Sequence, residues 1–182
     1  MDLQQAMLSV IPEPDAFLER WNAALTAARD AGMLVVHIRA AFRPGHPEVS
    51  PDNRMYSRLA KTGSLVDGSA EAAIAAGLSV EPGDLVITKL RVSAFSGSGL
   101  EILLRAHDIR SLTMFGVATS GIVLSTVRLA ADLDFELTVL GDACFDPDHR
   151  VHDILLNSVF PRQADVIDTA EWIAALAGPP RP

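Results

Sequence analysis

The side chains best suited to chemistry are Asp2, Lys89 and those of one turn, Phe115–Thr126, which reads Phe-Gly-Val-Ala-Thr-Ser-Gly-Ile-Val-Leu-Ser-Thr. A carboxylate and an ammonium can trade protons with a substrate or hold charge that develops on it. Taken alone, Asp2 reads as a solvated group and Lys89 as a lysine snorkelling from a strand end. The turn is more telling. An apolar run that ends at Gly116 and enters a helix at Thr119-Ser120 presents backbone N–H groups at the positive end of that helix, which suits an anion or an oxyanion. Ile122, on the first helical turn, has no nucleophilic, acidic or metal-binding atom and by itself reads as a packing residue.

The remaining candidates carry less. Cys144 is the single cysteine, so it has no internal disulfide partner, and it reads as a small inert hydrophobe. A free thiol suits a reducing compartment. Thr119 and Ser120 carry hydroxyls, but the sequence places no histidine to activate them. His37 reads as a neutral, hydrogen-bonded group at a strand end, and His107 and His152 as helix residues beside apolar stripes. The cysteine and histidine spacings match no zinc pattern, so neither metal nor cofactor is expected. A net charge of −8 without a run of like charges argues against a nucleic-acid partner. No basic leader precedes an apolar stretch, and no apolar run approaches ~18 residues, so a membrane partner is not expected and a cytoplasmic protein is.

The elements that must position these residues alternate between strand and helix patterns, which predicts βαβ units and a parallel sheet covered on both faces. Phe17, Leu18, Trp21, Leu25 and Ala28 form one stripe of a helix over about Asp15–Ala31, ended by Gly32. Met33–Ile38 is a continuous apolar run, as in a strand buried on both faces. Three prolines make 40–53 a loop at its carboxyl end. Tyr56, Leu59 and Ala60 suggest a short helix, and Glu71–Ala76 a second. Strands are expected at Asp84–Thr88, Ser111–Val117, Phe135–Leu140 and Asp165–Ile167. Helices are expected around Leu100–Leu104 and over Ser120–Ala131. Asp146-Pro147 reads as an N-cap with proline at the first helical position, and Asp168–Glu171 as a capping box. The 182 residues fit one domain, 1–182, with a frayed tail at 178–182.

Phe115–Thr126 resembles the nucleophile turn of the isochorismatase-like hydrolases, a superfamily that includes nicotinamidases and other cysteine hydrolases. There a strand ends in Gly-Val-Ala-Thr-x-x and the next residue is usually the catalytic cysteine; here it is Ile122. Two further segments match. Lys89-Leu-Arg-Val-Ser-Ala-Phe95 is similar to the family's Lys-x-Arg-x-Ser-Ala-Phe, and Asp2-Leu-Gln to its Asp-x-Gln. The resemblance spans Asp2 to about Glu171. It implies a three-layer α/β/α sandwich around a mainly parallel, six-stranded sheet, assembled as a homodimer or higher homo-oligomer. It also implies a cis peptide between Val117 and Ala118.

For function, the resemblance implies a small-molecule substrate, Asp2 and Lys89 as catalytic groups, and Ile122 at the substituted nucleophile position. Phe95, Val117, Ala118, Thr119 and Ser120 would line the substrate. Family members with zinc carry Asp-x-His after the second strand; here that region reads His37-Ile-Arg, and no metal is implied. In the family a full strand precedes the catalytic aspartate, whereas only Met1 precedes Asp2, so the first strand is expected to be truncated. Three functions remain open: a hydrolase working by Asp/Lys acid–base chemistry without a thioester, a binding protein without turnover, and an amidohydrolase whose nucleophile has moved to Cys144 or Ser120.

Overall fold

The computed structural model describes residues 1–178, so the expected tail at 178–182 lies outside the described residues apart from Gly178. The chain runs α1 (Gln5–Leu8), α2 (Pro14–Asp30), β1 (Val36–Ala40), α3 (Tyr56–Thr62), β2 (Leu85–Lys89), α4 (Leu100–Ala106) and β3 (Ser111–Met114). A π-turn, Thr119–Val123, then opens α5 (Leu124–Asp132), followed by β4 (Glu136–Leu140), α6 (His149–Ile154), β5 (Asp165–Ile167) and α7 (Thr169–Leu176). Among the described residues, the pairings between these strands are parallel.

Alternation along the strands divides the core between two faces. Val36 and Ile38 of β1 and Leu137 and Val139 of β4 pack with Leu100 and Leu104 of α4 and Val127 and Ala130 of α5. Val35 and Leu140 point the other way, onto Trp21 and Leu25 of α2 and Trp172 of α7. Helices therefore cover both faces of a parallel β layer, as the alternating pattern predicts. A third, smaller cluster of Ala40, Phe42, Tyr56 and Ala72 caps the carboxyl end of β1.

Four local expectations need correction. The sheet is not continuous: β1 and β2 form one pair, and β3, β4 and β5 form a separate three-stranded sheet. Among the described residues, Met1–Leu3 lies between the two, beside a cavity of about 520 Å³ lined by Leu34–Ile38 and Arg110–Phe115. Glu71–Ala76 is a turn rather than a helix, because its backbone serves the amino-terminal segment: Gln5 N–H donates to Ala73 O (2.9 Å) and Ala75 N–H to Leu3 O (2.9 Å). The cap of α6 is Asp148, which accepts from the N–H groups of Arg150 and Val151; Asp146 accepts instead from the N–H groups of Asp148 (3.1 Å) and Ser120 (2.7 Å). At α7 the amide and hydroxyl of Thr169 both donate to Asp142 (2.8 and 2.7 Å), so Asp168 makes no side-chain cap.

Candidate active site

Lys89 ends β2 in register with Ala40, the last residue of β1. Asp2 enters beside them: its N–H donates to Ile38 O (2.8 Å), and its φ of +53° turns the side chain toward Lys89. The two meet as an ion pair, Lys89 Nζ to Asp2 Oδ2 at 2.9 Å, with Lys89 2% exposed. Nζ also donates to Arg91 O at 3.0 Å. The second carboxylate oxygen, Asp2 Oδ1, is buried without a hydrogen-bond partner. Burial pushes the Asp2 carboxyl above its ordinary pKa, opposed by Lys89. The pair therefore sits at the carboxyl ends of parallel strands, where open α/β folds bind ligands, with one oxygen free to handle a proton.

Gln4 anchors the segment that carries Asp2. Its fully buried amide donates to Ala40 O (2.8 Å) and Ala72 O (2.9 Å) and accepts from Ala40 N–H (2.8 Å). The turn is tied to the same segment, since Val117 N–H donates to Met1 O at 3.2 Å. The peptide between Val117 and Ala118 is cis, as the resemblance implies. Ile122 is 2% exposed and packs in one cluster with Ile38, Phe95 and Met114. Ile38 thus borders both the Asp2 backbone and the group that surrounds Ile122 and Phe95.

Three of the turn's backbone amides are taken up within the fold. Thr119 N–H donates to Phe145 O (2.9 Å), Gly121 N–H to Ala118 O (3.0 Å), and Ser120 N–H to the Asp146 carboxylate (2.7 Å). The fold itself occupies these donors, and an acid already answers the positive helix end. The Thr119 hydroxyl, fully buried, meets His152 Nδ1 at 2.9 Å, a contact between residues 33 apart that local pattern does not place. Cys144 is buried, its thiol pushed up to about 12 by desolvation.

Two neighbours escaped the sequence reading. Tyr56, the single tyrosine, is buried, and desolvation together with the nearby Asp2 charge raises the pKa of its phenol. The Arg91 guanidinium lies 5.9 Å from the centre of its ring and donates to Glu48 O (3.0 Å). Arg91 stood inside the Lys-x-Arg motif, a signal that could have marked it; Tyr56 carried none. Asp84 binds Arg29 (Nη2 2.6 Å, Nε 3.1 Å) and His37 Nε2 (2.9 Å), so His37 is indeed hydrogen-bonded, although in the body of β1 rather than at its end. Burial lowers the His37 pKa.

Known proteins share this arrangement of strands and turn. The sequence matches the isochorismatase domain over residues 1–171. It is 37% identical over 131 residues to the ureidoacrylate amidohydrolase RutB of Variovorax paradoxus, covering 65% of this chain and 52% of that protein. It is 28% identical over 167 residues to the maleamate amidohydrolase of Pseudomonas putida, covering 90% and 77%. The chain thus spans about half the length of the ureidoacrylate amidohydrolases it matches. Among solved structures, an isochorismatase family protein from Burkholderia thailandensis superposes with a TM-score of 0.84 at 26% identity, covering 97% of this chain and 93% of that one. A match that begins ahead of Asp2 and runs past β5 takes in both halves of the ion pair and the whole turn, and with it the chain belongs to the isochorismatase family.

Proposed function

We propose that the protein is a hydrolase of a small metabolite and works through Asp2 and Lys89 without a thioester intermediate. The observation that carries this is the buried Asp2–Lys89 pair with its unpartnered Oδ1. A carboxyl group whose pKa is raised by burial holds a proton more readily than an ordinary carboxylate, and can deliver it to the substrate or draw one from water. Lys89, fixed by Asp2 and Arg91 O, is a stationary positive charge for an oxygen that turns anionic. With an isoleucine at position 122 and Cys144 held as a thiol, no thiolate is available to form an acyl-enzyme. Relatives named as amidohydrolases support an amide-bearing small acid as substrate. A cytoplasmic homo-oligomer is the working form in this proposal, supported by the exposed apolar side chains of Ile102 and Ile154.

One contact favours a second reading, an amidohydrolase with a relocated nucleophile. Thr119 Oγ1 and His152 Nδ1 make a hydroxyl–imidazole pair, and His152 lines a hollow of about 300 Å³ together with Cys144, Asp146 and His149. Complete burial of Thr119 weighs against it. Purified protein assayed on small amides, esters and vinyl ethers separates the readings. The acid–base proposal expects turnover that Asp2→Asn and Lys89→Met each reduce by at least ~100-fold while Thr119→Val retains most of it. Loss of turnover in Thr119→Val alone would reverse the assignment, and a folded protein that binds these compounds without converting them is a binding protein.

A further inference from the structure

Two residues beside the Asp2–Lys89 pair carry polar groups that the fold leaves uncommitted. The carbonyl of Arg91 accepts from Lys89 Nζ (3.0 Å), so the Arg91 side chain leaves the backbone next to the ion pair. Its guanidinium is half-buried and pairs with no carboxylate among the described residues. Nη1 donates to Leu90 O (2.5 Å) and Nη2 to Glu48 O (3.0 Å), which engages two of the five N–H groups of an arginine. Tyr56 is 5% exposed, and its hydroxyl makes no hydrogen bond among the described residues. The centre of its ring lies 5.9 Å from Arg91 Cζ. The charges of Asp2 and Arg91 act on the phenol in opposite directions, so the hydroxyl lies in the field of both.

Stability alone does not account for these groups, since a half-buried cation without a counter-ion and a buried hydroxyl without a partner both cost free energy. The surrounding charges do not balance either. Asp2 is matched by Lys89 and Glu48 by Arg43, which leaves Arg91 over. The segment 41–62, from the end of β1 through α3, carries four arginine and lysine side chains against two acids, in a chain whose net charge is −8. Such a local positive field draws anions to this end of the strands. We propose that Arg91 and Tyr56 are the specificity residues of the site and together hold the carboxylate of a small acid whose amide meets Asp2 and Lys89. This rests on the hydrolase reading of that pair. The two carbonyls fix the plane of the guanidinium, and its remaining N–H groups can meet a carboxylate side by side, as a lysine cannot. The Tyr56 phenol, its pKa raised by burial, keeps its proton through the neutral range and donates it to the same carboxylate. Lys89 and Arg91 are two residues apart, at most about 7 Å between Cα atoms, so short acids are the class expected.

The test measures binding of matched probes to the whole protein by calorimetry: malonamate, succinamate and glutaramate, each beside its neutral methyl ester, with ammonia release followed in parallel. At least one acid is expected to bind about tenfold or more tightly than its ester and to shift the Arg91 Nε–H resonance in NMR. Tyr56→Phe removes only the hydroxyl, and should weaken that acid by about three- to tenfold while the ester is unchanged. Arg91→Met should abolish the preference, and Arg91→Lys should restore part of it, because the charge returns without the fork. Equal binding of acid and ester in every pair would overturn the inference. So would a preference that survives in Tyr56→Phe and in folded Arg91→Met, since Arg91 would then serve only to hold Glu48 and Leu90. Acid-selective binding that needs both residues, without ammonia release, would sink the hydrolase reading and leave the carboxylate subsite standing; ammonia release without acid preference would do the reverse.

Discussion

Replacing Ile122 by cysteine asks whether the site still supports a nucleophile where the family usually carries one. The change removes apolar bulk from a side chain that is 2% exposed among Ile38, Phe95 and Met114. Large-to-small core substitutions of this size cost about 1–3 kcal/mol, which in a domain of this length lowers Tm by roughly 3–10 °C. The reference for reactivity is Cys144, whose thiol is pushed up to about 12 by burial. The same burial acts on residue 122, and only Lys89 and the positive helix end can offset it. Suppose they bring the new thiol to about 7. At pH 7.5 the thiolate fraction then rises by about four orders of magnitude over Cys144, while intrinsic nucleophilicity falls by roughly two, leaving alkylation about 100-fold faster.

The assay is iodoacetamide labelling of folded Ile122→Cys followed by peptide mass spectrometry, with Cys144 as internal standard and a Lys89→Met background as control. Labelling at residue 122 should fall at least tenfold in that background, since the lysine supplies much of the offset. Equal labelling rates at 122 and 144 in a folded variant would refute the reasoning. They would show that Ser120 N–H and its neighbours, already bonded to Asp146, Phe145 and Ala118, leave the turn unable to hold a thiolate.

Other expectations follow from single contacts. A Cβ on Gly116 would lie 2.2 Å from Met1 O, so Gly116→Ala should displace Met1 and Asp2, break the pair with Lys89 and lower Tm by more than ~5 °C. Gly83→Ala meets nothing within 4 Å and should shift Tm by under ~2 °C on the same calorimeter. Asp84 is desolvated, which raises its pKa, but hydrogen bonds from Arg29, Glu81 N–H and His37 outweigh burial and hold the carboxyl well below the usual range. Because the folded pKa is depressed, this stability is full above about pH 4 and is lost as pH falls toward the folded pKa. Urea titrations across pH should show that slope in the native protein and a flatter one in Asp84→Asn, which should also cost about 3 kcal/mol at pH 7. Thr119→Val should cost about 1–2 kcal/mol and shift the His152 titration followed by NMR, because it removes the hydroxyl from Nδ1.

The sequence carried the fold's alternation well because its strands are apolar runs that helices bury from both sides. Met33–Ile38 announced β1 (Val36–Ala40) and Asp84–Thr88 announced β2 (Leu85–Lys89) within a few residues. Elements held by distant partners were not legible. Glu71–Ala76 has the composition of a helix, yet Leu3 and Gln5 take its backbone from nearly seventy residues away. Asp146 looked like a cap because aspartate before proline usually is one, and nothing local shows that Ser120 N–H, 26 residues earlier, claims its carboxylate. The continuous six-stranded sheet was an expectation of the resemblance, whereas the strands of the described residues fall into two sheets.

For the site, the same division decides which residues the chemistry can use. Asp2 and Lys89 were legible only through the resemblance, since alone they read as a solvated group and a snorkelling lysine; the fold brings them to 2.9 Å. The polarity of the turn was legible too, but its satisfaction was not. An aspartate that accepts from Ser120 N–H puts a negative charge where a developing oxyanion would otherwise find donors. In the proposed acid–base reaction the charge stabilisation would then fall to Lys89, with the unpartnered Asp2 Oδ1 beside it as the proton carrier. Ile122 is buried beside the turn and Asp146 takes one of its amides, Ser120 N–H, while Val117 N–H donates to Met1 O and so ties the turn to the segment that carries Asp2.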